Sequence, residues 1–211
     1  MSPIEAVISD FGGVLTSPLR DSFLAFQNSS GIPLEALGAA MAAIAARQGA
    51  NPLFELETGR LTEAAFLADL SRQLTDDLGR PVELHGFAER YLGQLHPNQP
   101  MIDFMRQLRG RGYRMAICTN NIREWETLWR AKLPVEEIFD VVVDSSAVGT
   151  RKPERRIYEI TLDRLDVAAG NAVLVDDVEL NCQAARELGL TAVWFQDNEQ
   201  AIAELESVLD A

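Results

Sequence analysis

Apolar positions along this chain fall into two alternating textures. Short runs rich in valine and isoleucine (Ile4 to Ser9, Tyr113 to Cys118, Val141 to Val143, Ala172 to Val175 and Thr191 to Phe195) predict strands buried on both faces. Between the later runs, apolar residues recur at helical spacing. Met101, Met105 and Leu108 mark one stripe, and Trp125, Leu128 and Trp129 the next. Tyr158, Leu162 and Leu165 mark another, and Ile202, Leu205 and Leu209 the last. Strand and helix in alternation predict a parallel sheet covered on both faces, a three-layer α/β core.

The stretch from about residue 17 to residue 95 breaks this alternation. It holds no strand-like run, and its apolar positions keep helical spacing: Phe23 and Phe26, then Leu37, Met41 and Ile44, then Phe66, Leu70 and Leu74. Gly31-Ile-Pro33 and Gly79-Arg-Pro81 read as helix breaks, and Thr62 as an N-cap. The expected organisation is a core of residues 1–16 and 96–211 with an all-helical module, 17–95, inserted after the first strand.

Composition narrows the partners. Apolar residues make up 47% and charged residues 24% of the 211, as in an ordinary globular domain. A formal charge of −13 disfavours nucleic acid and anionic membrane as partners. It leaves room for a small phosphate held locally by a metal, a lysine and backbone N–H groups. Cys118 and Cys182 read as small buried hydrophobes without zinc or redox spacing. The N-terminal residues show no signal-peptide pattern, and no run is long enough to span a bilayer, so a cytoplasmic location is expected.

In an open parallel sheet, ligands bind beyond the carboxyl ends of the strands. The first strand ends in Asp10-Phe-Gly12-Gly13, the second in Thr119-Asn120, and the fourth in Asp176-Asp177, while Lys152 lies in the loop Gly149 to Pro153. Singly, each has an ordinary explanation: a turn, a helix cap, a solvated lysine. Together they do not. Three carboxylates at one sheet edge repel one another and stay ionised only beside a cation. Hard oxygen ligands with room for a phosphate suit Mg²⁺. A nucleophilic carboxylate, a metal, a lysine and a hydroxyl are the parts of phosphoryl transfer through an aspartyl phosphate.

Asp10-Phe-Gly-Gly-Val-Leu15, Ile117-Cys-Thr-Asn120, Arg151-Lys-Pro153 and Val175-Asp-Asp-Val-Glu-Leu-Asn181 resemble, in order, motifs one to four of the haloacid dehalogenase-like superfamily. The resemblance covers essentially the whole chain and is strongest to phosphatases like the N-terminal domain of soluble epoxide hydrolases. It implies a Rossmann-like core with a helical cap, and Mg²⁺-dependent hydrolysis of a small phosphorylated metabolite; a monomer or homodimer is expected. It implies that Asp10 attacks phosphorus and binds Mg²⁺, that Thr119 hydrogen-bonds the phosphoryl group, and that Lys152 neutralises both. It implies that Asp177 and the Gly12 carbonyl complete the metal site, with Asp176 assisting. Asn120 and Asn181 stand as substrate-side candidates, Asn181 lying one helical turn beyond Asp177.

One position departs from the family pattern. Where many such phosphatases carry an acid/base aspartate two residues after the nucleophile, this chain has Gly12. The glycine keeps the carbonyl and loses the proton donor, a function worth about 10²–10⁴-fold in rate. The expected consequences are a substrate with a good leaving group, a replacement acid from the cap, or slow turnover. Glu57, in Leu56-Glu57-Thr58-Gly59, is the cap candidate, but reads first as a solvent-facing glutamate before a glycine helix stop. Arg151 reads as exposed, and His85 and His96 as without a catalytic partner. Two rival functions stand: a phosphate-binding or regulatory protein with little turnover, and a metal-independent haloacid dehalogenase, which the Asp176-Asp177 pair disfavours.

Overall fold

The computed structural model describes residues 3–210. Five strands, β1 (Ala6–Ser9), β2 (Arg114–Thr119), β3 (Val141–Asp144), β4 (Ala172–Asp176) and β5 (Thr191–Trp194), lie where the apolar runs place them. They form one sheet in the order β3-β2-β1-β4-β5, with every neighbouring pair parallel. β1 and β4 are buried along their whole length, which is why they read as unbroken apolar runs. Successive residues feed opposite faces: Val7, Met115 and Val173 join one cluster, and Ala6, Ile8, Ala116 and Leu174 the other.

Five helices separate β1 from β2 in the helical insert: α1 (Leu19–Ser30), α2 (Leu34–Gln48), α3 (Pro52–Glu57), α4 (Glu63–Leu78) and α5 (Phe87–Gly93). The rest clothe the sheet: α6 (Gln99–Gly110), α7 (Glu126–Arg130), α8 (Val135–Ile138), α9 (Ser145–Val148), α10 (Arg155–Leu165), α11 (Glu179–Glu187) and α12 (Asn198–Leu209). Met101, Met105 and Leu108 of α6, with Leu205 of α12, pack on one face of the sheet, and Tyr158, Leu162 and Leu165 of α10 pack on the other. The architecture is thus the three-layer Rossmann-like α/β sandwich.

Two predicted stripes are interrupted. Residues 123–130 form a 3₁₀ turn followed by one short α-turn, so Trp125 and Trp129 point inward while Leu128 turns out to solvent. In α1, Phe26 is buried, but Phe23 sits at the rim of a cavity and is partly exposed.

The insert starts and stops at defined points. Gly31 closes α1 and Gly79 closes α4 in left-handed conformations, φ 67° and 62°. Thr62 caps α4 by accepting the Ala65 N–H at 3.3 Å. Where the chain leaves and rejoins the sheet layer, its two crossings run side by side. Thr16 pairs antiparallel with Pro97, the Ser17 N–H donates to the His96 carbonyl at 2.8 Å, and the His96 N–H donates to Ser17 Oγ at 3.1 Å. Further out, Trp125 of the sheet layer packs against Phe87 and Tyr91 of α5, with ring centroids 6.0 and 5.5 Å apart, and donates its indole N–H to Glu63 of α4 at 2.8 Å. Among the described residues no single helix is long and apolar enough to cross a membrane.

Candidate active site

β1 is the central strand, and chain order runs away from it on one side through β2 and β3 and on the other through β4 and β5. The crevice at such a switch point opens at the carboxyl edge, and Asp10 stands there, its N–H bonded to the Val175 carbonyl of β4 at 2.9 Å. Lys152 comes to the same edge from the loop before α10. It is fully buried, with Nζ 2.8 Å from Asp10 Oδ1 and 2.5 Å from Asp176 Oδ2. Burying an ammonium is unfavourable unless it is paired, and here two carboxylates hold its pKa well above the usual lysine value against the effect of burial.

Asp176 is held by three donors. Besides Lys152, it accepts the Val178 N–H and an Asn181 Nδ2 N–H on Oδ1, both at 2.9 Å. Asn181 does reach back to the sheet edge, but its amide orients Asp176. Asn120 is similarly engaged: its amide donates to the Lys152 carbonyl at 3.0 Å and accepts the Lys152 N–H at 2.8 Å. Both candidate substrate contacts thus also hold the charged centre in place. Thr119, at the end of β2, is buried, lines the cavity, and makes no side-chain hydrogen bond among the described residues.

Asp10, Asp176 and Asp177 each offer a carboxylate oxygen within 4.8 Å of the others. Burial first, then repulsion from its two neighbours, pushes the Asp10 carboxyl up to about 7 against the pull of Lys152. Burial and Asp176 push Asp177 up to about 6. With both of these carboxyls ionised, three carboxylates and one ammonium carry a charge of −2 at the sheet edge, which a divalent cation would cancel. The Gly12 carbonyl accepts no hydrogen bond among the described residues and is free to act as a ligand. The donor set, all oxygen, fits Mg²⁺, with Asp10, Asp177 and the Gly12 carbonyl able to hold it. Gly13 makes this possible: at φ +82°, a Cβ there would lie 2.3 Å from Asp177 Oδ2. At Gly12 an added Cβ would meet the Leu19 side chain at 2.9 Å, so α1 fills the space where another residue would project.

Over Asp10 opens a cavity of about 330 Å³ whose apolar wall includes Leu19, Phe23, Leu56, Phe66 and Tyr91 of the insert. Two expectations fail here. Arg151 is not exposed, and Glu57 does not face solvent. Their side chains are each 15% exposed and paired, with Arg151 Nε 2.6 Å from Glu57 Oε2, and the guanidinium lies 3.9 Å from the centre of the Phe54 ring. The reason is docking: the end of α3 sits on α9, where Ser145 Oγ donates to the Glu57 carbonyl at 2.6 Å. Tyr91, which the sequence does not single out, also lines the cavity.

Residues 4–189 match the family model of the haloacid dehalogenase-like hydrolases. The chain belongs to that family. Curated relatives of the hydrolase include mouse acyl-CoA dehydrogenase family member 10 (27% identity over 97% of this chain and 19% of the relative) and pig bifunctional epoxide hydrolase 2 (26% over 97% and 39%). It thus spans only a minor part of either relative. A sesquiterpene phosphatase of Aspergillus oryzae is 28% identical over 67% of this chain and 72% of its own. Among solved structures, a HAD-family enzyme of Bacteroides thetaiotaomicron in complex with magnesium and inorganic phosphate aligns with TM-score 0.64 and 22% identity, covering 90% of this chain and 93% of its own. An L-2-haloacid dehalogenase aligns with TM-score 0.70 and 19% identity over 100% of both chains. At these identities the two structures establish the hydrolase's fold.

Proposed function

We propose that the hydrolase is a magnesium-dependent phosphatase that acts on a small phosphomonoester with an apolar alcohol part, by way of a phosphoryl group carried on Asp10. The observation that carries the reaction is the buried Asp10–Lys152–Asp176 relay beside Asp177, with its residual charge of −2. The apolar wall over Asp10 carries the substrate class: a phosphate fits the polar floor and a hydrocarbon the cavity above it. The sesquiterpene phosphatase relative supports the same reading, and a fold neighbour holding magnesium makes that metal the first to test.

An Asp10 carboxylate oxygen attacks phosphorus as the bond to the alcohol oxygen breaks, and that oxygen leaves with a proton. Water then attacks the aspartyl phosphate, freeing inorganic phosphate and restoring Asp10. Lys152, fixed by Asp176, offsets charge on Asp10 and on the phosphoryl oxygens. Thr119, with its hydroxyl unengaged, donates a hydrogen bond to the transferring group. Bound Mg²⁺ supplies charge neutralisation and alignment of the phosphoryl oxygens. The insert acts as a cap that excludes water and selects the substrate. Two buried free cysteines suit the reducing cytoplasm.

The test is phosphate release from a panel of alkyl, isoprenoid and sugar phosphates with Mg²⁺, with EDTA, and with Asp10→Asn. Release from apolar esters that needs both metal and Asp10 is expected. Hydrolysis that survives EDTA would favour dehalogenase-type chemistry, and binding without release a phosphate-binding protein.

A further inference from the structure

The phosphohydrolase reading leaves one chemical task without an obvious agent. An alcohol leaves phosphorus slowly as an alkoxide, and the position that would supply its proton from the first strand's loop is Gly12, with Leu19 packed into the space beside it. The proton donor therefore comes from elsewhere on the cavity wall. The lining residues that ionise are Asp10, Glu57, Tyr91, Arg151, Lys152 and Asp177. Asp10 is the nucleophile, Lys152 is held between two carboxylates, Asp177 belongs to the metal-binding group, and an arginine does not give up its proton. Glu57 and Tyr91 remain.

Glu57 is the better placed of the two, because the structure fixes it. Its carbonyl is bonded to Ser145 of the sheet layer, and its Oε2 to Arg151 Nε. Arg151 is in turn held against Phe54 and precedes Lys152 in the chain. Gly59, just beyond, lies so close to the Ser146 carbonyl that a Cβ would sit 2.5 Å from it, so the turn carrying Glu57 is pressed onto α9. The second carboxylate oxygen, Oε1, makes no hydrogen bond among the described residues, and Glu57 lines the same cavity as Asp10 and Thr119. Burial pushes the Glu57 carboxyl up against the opposing charges of Arg151 and Lys152, the direction a proton donor near neutral pH requires.

Resting on the proposed phosphohydrolase reaction, we propose that Glu57 is the catalytic acid and base that replaces the missing group at Gly12. In the first step, Asp10 oxygen bonds to phosphorus, the P–O bond to the alcohol breaks, and the Glu57 carboxyl proton passes to the departing oxygen. In the second, the Glu57 carboxylate takes a proton from water as that water bonds to phosphorus and the P–O bond to Asp10 breaks. The carboxyl and Asp10 are thereby restored.

The experiment compares hexyl phosphate, a poor leaving group, with 4-nitrophenyl phosphate, a good one, in the full-length protein with Mg²⁺. Glu57→Gln keeps an oxygen for Arg151. It is expected to lower kcat/KM for hexyl phosphate by about 10²–10⁴-fold. With 4-nitrophenyl phosphate it is expected to give a burst of one nitrophenol per active site, then slow turnover, because the water-activating step has lost its base. A second arm needs no variant. In the wild type, the ratio of kcat/KM for hexyl to that for 4-nitrophenyl phosphate should fall as pH rises and Glu57 loses its proton. Asp10, Asp177 and Lys152 serve both substrates and cancel in that ratio; with each ester's own second phosphate ionisation divided out, Glu57 and its neighbours Arg151 and Tyr91 remain. A uniform loss on both substrates without a burst, a pH-independent ratio, or the same signature in Tyr91→Phe would each overturn the role of Glu57. Should wild-type protein release no phosphate in an Asp10-dependent manner from either ester, the phosphohydrolase reading fails and this role with it. Asp10-dependent release without the leaving-group signature removes only the role of Glu57.

Discussion

Gly13 shows how a residue without a side chain can decide where a carboxylate sits. Its positive φ and the Asp177 carboxylate against its Cα leave no room for a Cβ. Gly13→Ala is therefore expected to displace Asp177, weakening Mg²⁺ binding at least tenfold by titration calorimetry. The backbone strain adds a cost of about 1–2 kcal/mol. Lys152→Met should have a larger effect. It leaves Asp10 and Asp176 buried together without their shared cation, and breaking such a pair costs about 3–5 kcal/mol. Urea denaturation in EDTA reads that loss, and phosphate release reads the accompanying inactivation. Asp10, Thr119, Lys152 and Asp177 are legible in the sequence because each stands at a strand end or in a short loop, where few structural needs compete. Gly13 and Tyr91 are not, since their importance lies in what approaches them in space. Arg151 and Glu57 are misread for a related reason: each looks like a lone surface charge until folding brings together partners 94 positions apart.

At the scale of elements, α1, α2 and α4 of the insert follow from apolar spacing and glycine breaks, and the five strands from their valine-rich runs, whereas the short α3 and α5 carry no stripe to announce them. The cavity between helices and sheet does not follow either. Stripes on α1, α2 and α4 predict burial, and nothing in a stripe says whether it closes on another helix or on an empty volume. Because these helices wall the cavity, KM for straight-chain alkyl phosphates should fall about fourfold per added CH₂ until the cavity is full, from a transfer energy of about 0.8 kcal/mol per CH₂. A flat series would mean that the chain lies outside. α3 is only six residues long and is held at its end by the sheet layer. Gly59→Ala drives a Cβ against the backbone of α9 at a positive φ. It should destabilise the protein by about 1–3 kcal/mol and lower kcat/KM for alkyl esters, as read by thermal unfolding beside steady-state kinetics.

For the whole molecule, the acidic cluster couples folding to pH and to metal. Asp10 and Asp177 ionise near 3.8 in an unfolded chain and at about 7 and about 6 when folded. Between roughly pH 4 and pH 7 the folded state therefore keeps protons that the unfolded chain releases, and the cluster's contribution to stability falls as pH rises through that window. Mg²⁺ favours the ionised carboxylates, so the rise in Tm on replacing EDTA with Mg²⁺ should be larger at pH 8 than at pH 5, a comparison for differential scanning calorimetry. Equal rises at both would remove the carboxylates as the metal's ligands. The paired crossings at Thr16–Pro97 and Ser17–His96 have a consequence of another kind. All five helices of the insert hang from one narrow stem, beside a sheet whose carboxyl edge carries the acidic cluster. Evolution can reshape the cavity-facing helices beyond that stem while the carboxylate cluster stays where it is, so long as the short turn that carries Glu57 keeps its seat on α9.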